Sequence, residues 1–288
     1  HLMYCRSGWE FLRSTVWRLL LDYLPTEVDS WQATLSSKRS LYKEWRKDLY
    51  PKDARRRHSI GDKLGPRHSG EGEGGRTGGN AGNNGSEGVD EESAPDPLSP
   101  SLDAHWSEHW KESALLGEIW KDVKRTNTQY AFFSRERDPS IADTLERLLF
   151  LFAKLNPGVR YVQGMNEVLA PILYCFYTDV PKEGEADDLG YQDRDNLEAD
   201  VFFCFQRVMS YMTDVFVEEL DEAECGIDGT LDQLERCLRV QDKQVYLHLQ
   251  QLGLNPKFYA MRWLTTLLAR EASTGCRAWM RCTDLGLR

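Results

Sequence analysis

The feature that most constrains the fold is an apolar segment at residues 139–155 that ends abruptly. Its apolar side chains recur three or four residues apart, as on one face of an α-helix, and Pro139 suits a first helical turn. The sequence Asn156-Pro157-Gly158 ends this pattern, because proline disfavours helical backbone in the residue before it. A further helical pattern begins near Glu167. We therefore predict two helices joined by a short extended connection that carries Gln163.

Helical spacing of apolar residues recurs along most of the remaining chain, and no stretch alternates apolar and polar residues between turn signals. The pattern that starts near Glu167 contains Pro171, which is expected to kink its helix. These observations predict an all-α protein. The other segments with helical patterns are 8–50, 106–125, 201–216, 231–252 and 258–269.

The composition favours a globular protein of the cytoplasm. Of the 288 residues, 41% are hydrophobic, which is ample for a core. The formal net charge of −10 argues against nucleic acid as a main partner. The seven Cys residues are odd in number and include no C-x-x-C pair, and both Cys175 and Cys204 lie in apolar stretches, so a reducing compartment fits better than a disulfide framework. No signal peptide or membrane-spanning run is visible, so association with endomembranes is expected to be peripheral at most.

Residues 58–100 differ in composition from the rest of the chain. Gly, Asn, Glu, Ser and Pro replace nearly all apolar side chains, so this segment cannot bury enough surface to offset its ordering entropy. We predict a disordered insertion. It separates an N-terminal helical part, residues 1–57, from a larger helical part, residues 101–271.

Basic residues surround the second helical pattern of the N-terminal part. A solvated helix surface is favoured here over contact with acidic lipid or an acidic partner. These residues are Lys38, Arg39, Lys43, Arg46 and Lys47, and a basic tail follows at Arg55, Arg56 and Arg57.

No cofactor site or metal site is predicted for the chain. A formal G-x-G-x-x-G match at Gly70, Gly72 and Gly75 is neither preceded by a strand nor followed by an amphipathic helix, and no G-x-x-x-x-G-K-[ST] occurs. His105 and His109 stand four residues apart, but no third metal ligand suggests itself. Surface histidines are the favoured interpretation of that pair.

Two polar positions stand out at helix boundaries. Gln163 lies between Tyr161 and Gly164, residues that favour anchoring and close backbone approach respectively. Asp122 and Arg125 lie three residues apart on one face of a predicted helix, so Asp122 can brace Arg125 near the helix end. Each position has an ordinary alternative: a satisfied turn glutamine in the first case and a surface ion pair in the second.

Three short motifs occur in the order typical of one protein family. I-x-x-D-x-x-R ends at Arg125 and is followed by Thr126, Y-x-Q-G spans residues 161–164, and R-x-x-x-W-x-x-L-L spans residues 13–21. They resemble the arginine motif, the glutamine motif and the N-terminal signature of the TBC-domain Rab GTPase-activating proteins. The resemblance extends over the longer segments Leu155–Tyr174, Glu198–Phe205 and Phe258–Glu271.

This resemblance implies an all-helical TBC domain whose partner is a Rab-family small GTPase of vesicle traffic. Arg125 would neutralise charge that develops on the GTP phosphates, and Gln163 would orient the attacking water in place of the GTPase's own glutamine. Such a protein is an activator rather than an enzyme, and the GTP and Mg²⁺ belong to the GTPase. The residues implied to support the pair are Asp122, Tyr161, Gly164 and Asn166.

The resemblance ends after Glu271. Residues 272–288 match none of the continuation expected for the family, which implies a divergent tail and a truncated C-terminal helical subdomain. A Rab-binding scaffold or adaptor that no longer accelerates hydrolysis is therefore a second hypothesis. A helical structural module with chance motif matches is a third.

Overall fold

The structure is a computed structural model that describes residues 12–51, 100–180, 187, 189–216 and 226–269. These residues form ten α-helices and two short 3₁₀ helices with no strand among them, so the predicted all-α class is confirmed. None of the helices in these ranges is long and apolar enough to cross a membrane. The helices are α1 (Leu12–Leu20), α2 (Trp31–Leu49), α3 (Pro100–Arg125), α4 (Pro139–Leu155), α5 (Met165–Thr178), α6 (Arg194–Phe216), α7 (Ile227–Gln241), α8 (Lys243–Gln251), α9 (Pro256–Tyr259) and α10 (Met261–Thr265).

Residue contacts divide the chain into two compact units. The first comprises residues 1–50 and 115–288, and the second comprises residues 51–114. The predicted disordered insertion, apart from Pro100, and the predicted tail lie outside the described residues, as do the side chains of His105 and His109. The candidate site lies wholly within the first unit.

Helix α4 has the bounds that the sequence predicts. Asp138 caps it by accepting a hydrogen bond from the N–H of Ser140 at 3.0 Å, and Pro139 occupies the first turn. After Leu155, the side chain of Asn156 donates to a carbonyl of the last turn at 2.8 Å. Helix α5 begins after a connection of nine residues, 156–164, and continues through Pro171. The residues that end α4 therefore determine where the connection that carries Gln163 begins.

Helix α6 is the centre of the first unit, because it packs against α1, α2, α4, α5, α7 and α10. Its apolar side chains are buried on several sides, including those of Phe202 and Phe205. Cys204 of α6 and Cys175 of α5 are both buried, as their apolar stretches predict.

Two buried carboxylates on α6 attach three other helices to it. Glu198 accepts two hydrogen bonds from Arg147 of α4, at 2.6 and 2.7 Å. Asp200 accepts from Arg18 of α1 at 2.8 Å and from Arg39 of α2 at 2.7 Å. The prediction of a solvated basic surface on α2 is therefore wrong for Arg39, because its carboxylate partner lies far along the chain and is brought to it by folding.

Two segments predicted as single helices are interrupted. Within 231–252, Asp242 leaves the helical conformation (φ −142°, ψ 83°), and its side chain caps the N-terminus of α8. Within 258–269, the chain breaks between α9 and α10, and Leu267 and Leu268 adopt positive φ values of 49° and 59° after α10. Apolar spacing continues through both breaks, which is why the sequence pattern did not reveal them.

Candidate functional site

An open cavity of about 1160 Å³ lies in the first unit. Its lining residues come from the end of α3, the connection between α4 and α5, the first turn of α5, the end of α6, the start of α7, and the segment from α9 to just after α10. Arg125 and Gln163 both line this cavity and both are exposed. The fold thus brings two side chains that are 38 positions apart in the sequence to the same accessible surface.

Arg125 is the last residue of α3. Its Nη2 lies 2.6 Å from Oδ1 of Asp122, which is three residues earlier on the same helix. The side chain of Arg125 is 54% exposed, whereas that of Asp122 is only 7% exposed. A buried carboxylate therefore anchors one nitrogen of the guanidinium, while about half of the arginine remains accessible to a ligand.

Tyr161 is the second partner of Asp122. Its hydroxyl donates a hydrogen bond to Oδ2 of that carboxylate at 2.7 Å. Burial, together with this hydrogen bond and the negative charge of Asp122, raises the pKa of Tyr161 above its usual value. The phenol therefore stays protonated at neutral pH and remains a donor, so that Asp122 links the end of α3 to the connection before α5.

Gln163 lies in a turn immediately before α5. The N–H of Met165 donates to the carbonyl of Val162 at 3.2 Å, which closes the turn around Gln163 and Gly164. Gly164 has a φ of 114°, a conformation that residues with a side chain rarely adopt. The predicted extended connection therefore ends in a tight turn, and the glycine allows the chain to reverse there with the glutamine exposed.

Asn166 is buried in the first turn of α5. Its side-chain nitrogen lies 2.9 Å from the hydroxyl of Thr126, the residue directly after Arg125. This contact is a second connection between the arginine end of α3 and the glutamine turn. The sequence motif places Thr126 beside Arg125 but contains no signal for its contact with Asn166.

The cavity is also lined by residues that the sequence analysis did not predict as site residues. Phe258 of α9 is 84% exposed, and Met261 of α10 is 43% exposed. Phe216 at the end of α6 also lines the cavity and is buried. These side chains come from distant segments, and no local pattern marks them as a common surface.

The charged residues that line the cavity are mainly basic. Arg125, Arg160, Lys257 and Arg262 carry positive charge, and the acidic lining residue is Glu167, which is buried. Arg125 and Lys257 are paired with the carboxylates of Asp122 and Asp228, so the excess of basic groups at this cavity is small.

Comparisons with known proteins place this site in a family. Residues 99–280 match the Rab-GTPase-TBC domain, which is more than half of the chain. The chain belongs to this family. The TBC match contains both Arg125 and Gln163, and it ends within the segment predicted to be a divergent tail. The truncation of the C-terminal subdomain stays a prediction.

Individual relatives of this TBC domain are similar over most of its length. Human TBC1 domain family member 13 is 28% identical over 329 residues, covering 93% of this chain and 73% of that protein. The GTPase-activating protein GYP1 of Saccharomyces cerevisiae is 24% identical over 278 residues, covering 93% of this chain and 34% of that protein. The crystal structure of the Ypt/Rab-GAP domain of Gyp1p superposes with a TM-score of 0.65 at 22% identity, over 97% of this chain and 70% of that one. The last comparison supports the fold.

All of the site residues predicted for this TBC domain lie in one connected region. Asp122 is buried behind the cavity wall, in contact with two of the others. The remaining predicted residues line the cavity itself: Arg125, Tyr161, Gln163, Gly164 and Asn166.

Proposed function

We propose that this TBC domain binds a GTP-loaded Rab-family GTPase and accelerates its GTP hydrolysis by supplying Arg125 and Gln163 in trans. The observation that carries the proposal is that both side chains are exposed on one open cavity. Membership of the Rab-GTPase-TBC domain family supports the choice of partner. The GTP and Mg²⁺ belong to the GTPase, and the chain contributes no cofactor of its own.

Arg125 would stabilise negative charge on the GTP phosphates in the transition state. Phosphoryl transfer depends on positioning and electrostatic stabilisation more than on covalent chemistry, and a planar guanidinium matches phosphate oxygens. An arginine supplied in this way typically accelerates hydrolysis by ~10³–10⁵, which corresponds to roughly 4–7 kcal/mol of transition-state stabilisation. The ion pair with Asp122 limits the conformations of Arg125, so less entropy is lost when its side chain meets the nucleotide.

Gln163 would orient the water that attacks the terminal phosphate. A carboxamide both donates and accepts hydrogen bonds, so it can hold a water in line with the bond that breaks. Its position in a turn that Gly164 tightens places a short, constrained backbone segment behind the side chain. The backbone would therefore move little when the partner binds.

A panel of Rab GTPases tests this proposal. Single-turnover GTP hydrolysis is measured for each GTPase with and without the chain, and binding is measured with the same GTPases loaded with a non-hydrolysable GTP analogue. We expect at least one GTPase both to bind and to hydrolyse GTP ~10³-fold or more faster.

Two outcomes would contradict the proposal. A GTPase that binds tightly without any acceleration would favour a scaffold or adaptor. The absence of both binding and acceleration across the whole panel would exclude the Rab family as the partner.

A further inference from the structure

We infer that Thr126 and Asn166 form a positioning relay that holds Gln163 in a fixed place relative to Arg125. This inference rests on the proposed function, because it concerns the same pair of side chains. Thr126 follows Arg125 directly, and Asn166 stands three residues after Gln163. Thr126 is 1% exposed and Asn166 is 2% exposed, so neither offers its polar side chain to a partner protein.

The relay consists of three hydrogen bonds in series. The hydroxyl of Thr126 donates to the main-chain carbonyl of Asp122 at 2.8 Å. The side-chain nitrogen of Asn166 donates to that hydroxyl at 2.9 Å. The main-chain N–H of Gly164 donates to the side-chain oxygen of Asn166 at 3.2 Å. The series therefore runs from the last turn of α3 to the peptide bond between Gln163 and Gly164.

Main-chain groups at both ends set the direction of every hydrogen bond in the relay. The carbonyl of Asp122 can only accept, so the hydroxyl of Thr126 must donate to it and accept from Asn166. The N–H of Gly164 can only donate, so the amide oxygen of Asn166 must face it. The two requirements agree on a single orientation of the Asn166 amide. A residue that both donates and accepts at fixed positions is needed here, and asparagine meets that need.

The relay differs from the other link between the two segments. The hydrogen bond between Tyr161 and Asp122 holds the chain at Tyr161, which is two residues before Gln163. The relay instead holds the peptide plane of Gln163 itself. Because the side chains of Thr126 and Asn166 are buried, breaking one hydrogen bond leaves a buried polar atom with one partner fewer, which favours a shift of the turn. Small displacements of a catalytic group can cost about 10²-fold in rate.

The central test compares Thr126→Val with Thr126→Ser on a GTPase that responds to the wild-type chain. Valine has nearly the shape of threonine but lacks the hydroxyl, whereas serine restores it. We expect Thr126→Val to lower the single-turnover rate at saturation by about 10²-fold while the affinity for the analogue-loaded GTPase is unchanged. Thr126→Ser should retain most of the rate. Rates are normalised to the concentration of chain that binds the GTPase.

A matched control and a second variant make the test independent of general effects on folding. The hydroxyl of Thr213 donates to the carbonyl of Met209, one turn earlier on α6, at 3.0 Å, and Thr213 does not line the cavity. Thr213→Val should therefore leave the rate unchanged. Asn166→Asp keeps an acceptor for Gly164 but loses the donor to Thr126, so it should show the loss seen with Thr126→Val. If Thr126→Val does not fold, Asn166→Asp decides the question.

Coupling to Gln163 separates positioning from a merely structural role. In the Gln163→Ala background, Thr126→Val should cost clearly less than in the wild-type chain, because the side chain that the relay positions is absent. An equal loss in both backgrounds, or an unchanged rate for Thr126→Val, overturns the relay while leaving the proposed function intact. If the wild-type chain accelerates no GTPase, the proposed function fails and the relay has nothing to position.

Discussion

Asp122 is the residue on which the local geometry of the site depends. Its two carboxylate oxygens have separate partners, since Oδ1 pairs with Arg125 and Oδ2 accepts from Tyr161. Both partners are needed because the carboxylate is buried, and a buried charge is stable only when its hydrogen-bonding capacity is used. Removal of either partner should therefore lower the stability of the folded chain and also disturb the cavity.

Tyr161→Phe tests this dependence. The substitution removes one hydroxyl and leaves Oδ2 of Asp122 without that donor, so the free energy of unfolding should fall by about 1–3 kcal/mol. Tyr211 is 59% exposed and offers a matched control, for which Tyr211→Phe should change the free energy of unfolding by no more than about 0.5 kcal/mol. Urea denaturation of the two variants measures both values. Equal small effects would show that Asp122 does not depend on the phenol.

The contacts of single residues were predictable only where the partners are close in sequence. The pairing of Asp122 with Arg125 follows from their spacing of three residues on one helix. Thr126 and Asn166 lie 40 residues apart, and their contact exists because α3 and the start of α5 meet in the fold. Local spacing contains no information about such a meeting. The common location of Arg125 and Gln163 was likewise implied by the family resemblance and not by their spacing.

At the scale of helices, α6 organises the first unit through carboxylates that face two different environments. Asp200 is fully buried and pairs with Arg18 and Arg39. Asp195, on the same helix, pairs with Arg46 at 2.8 Å, with exposed fractions of 30% for Arg46 and 56% for Asp195. The same type of interaction between α2 and α6 therefore occurs both in the core and near the surface.

Asp200→Asn and Asp195→Asn should differ greatly in their effects. The first leaves two buried guanidinium groups without their counter-charge and should lower the free energy of unfolding by about 3–5 kcal/mol. The second removes a solvent-screened ion pair and should cost at most about 1 kcal/mol. Chemical denaturation monitored by tryptophan fluorescence gives both values. Similar losses for the two variants would mean that burial does not determine the strength of these pairs.

Helix bounds were predictable where the chain carries explicit end signals. Pro139 and Asn156-Pro157-Gly158 mark both ends of α4, and the observed helix agrees with the prediction. The break at Asp242 was missed because apolar spacing continues on both sides of it. The burial of Arg39 was missed because a basic residue on a helix is usually solvated, and its partner Asp200 could be identified only from the tertiary structure.

At the scale of the whole molecule, buried and half-buried phenols should make stability fall at alkaline pH. Burial, with a smaller contribution from the charge of Glu198, raises the pKa of Tyr177 to about 12. In the unfolded chain this phenol ionises near pH 10, so between about pH 10 and 12 the folded state binds more protons than the unfolded state. The contribution of this phenol to the free energy of unfolding is fully present below about pH 10 and is lost as the pH rises to about 12. Burial also raises the pKa of Tyr23, Tyr42, Tyr50 and Tyr161.

Denaturation at a series of pH values measures this dependence. The free energy of unfolding should be insensitive to these phenols below about pH 10 and should then fall by up to about 1.4 kcal/mol per pH unit for each of them. Tyr177→Phe should reduce the slope between about pH 10 and 12. An identical slope in the variant would show that Tyr177 ionises equally well in the folded and unfolded chains.

The most direct measurement of the central claim is single-turnover GTP hydrolysis by one responding Rab GTPase at saturating concentrations of the chain and its variants. Arg125→Ala and Gln163→Ala should each still bind the analogue-loaded GTPase, and Arg125→Ala should lose ~10³-fold or more of the acceleration. Arg236 and Gln233 are exposed and do not line the cavity, so Arg236→Ala and Gln233→Ala should act like the wild-type chain. Wild-type acceleration by both Arg125→Ala and Gln163→Ala would contradict the account.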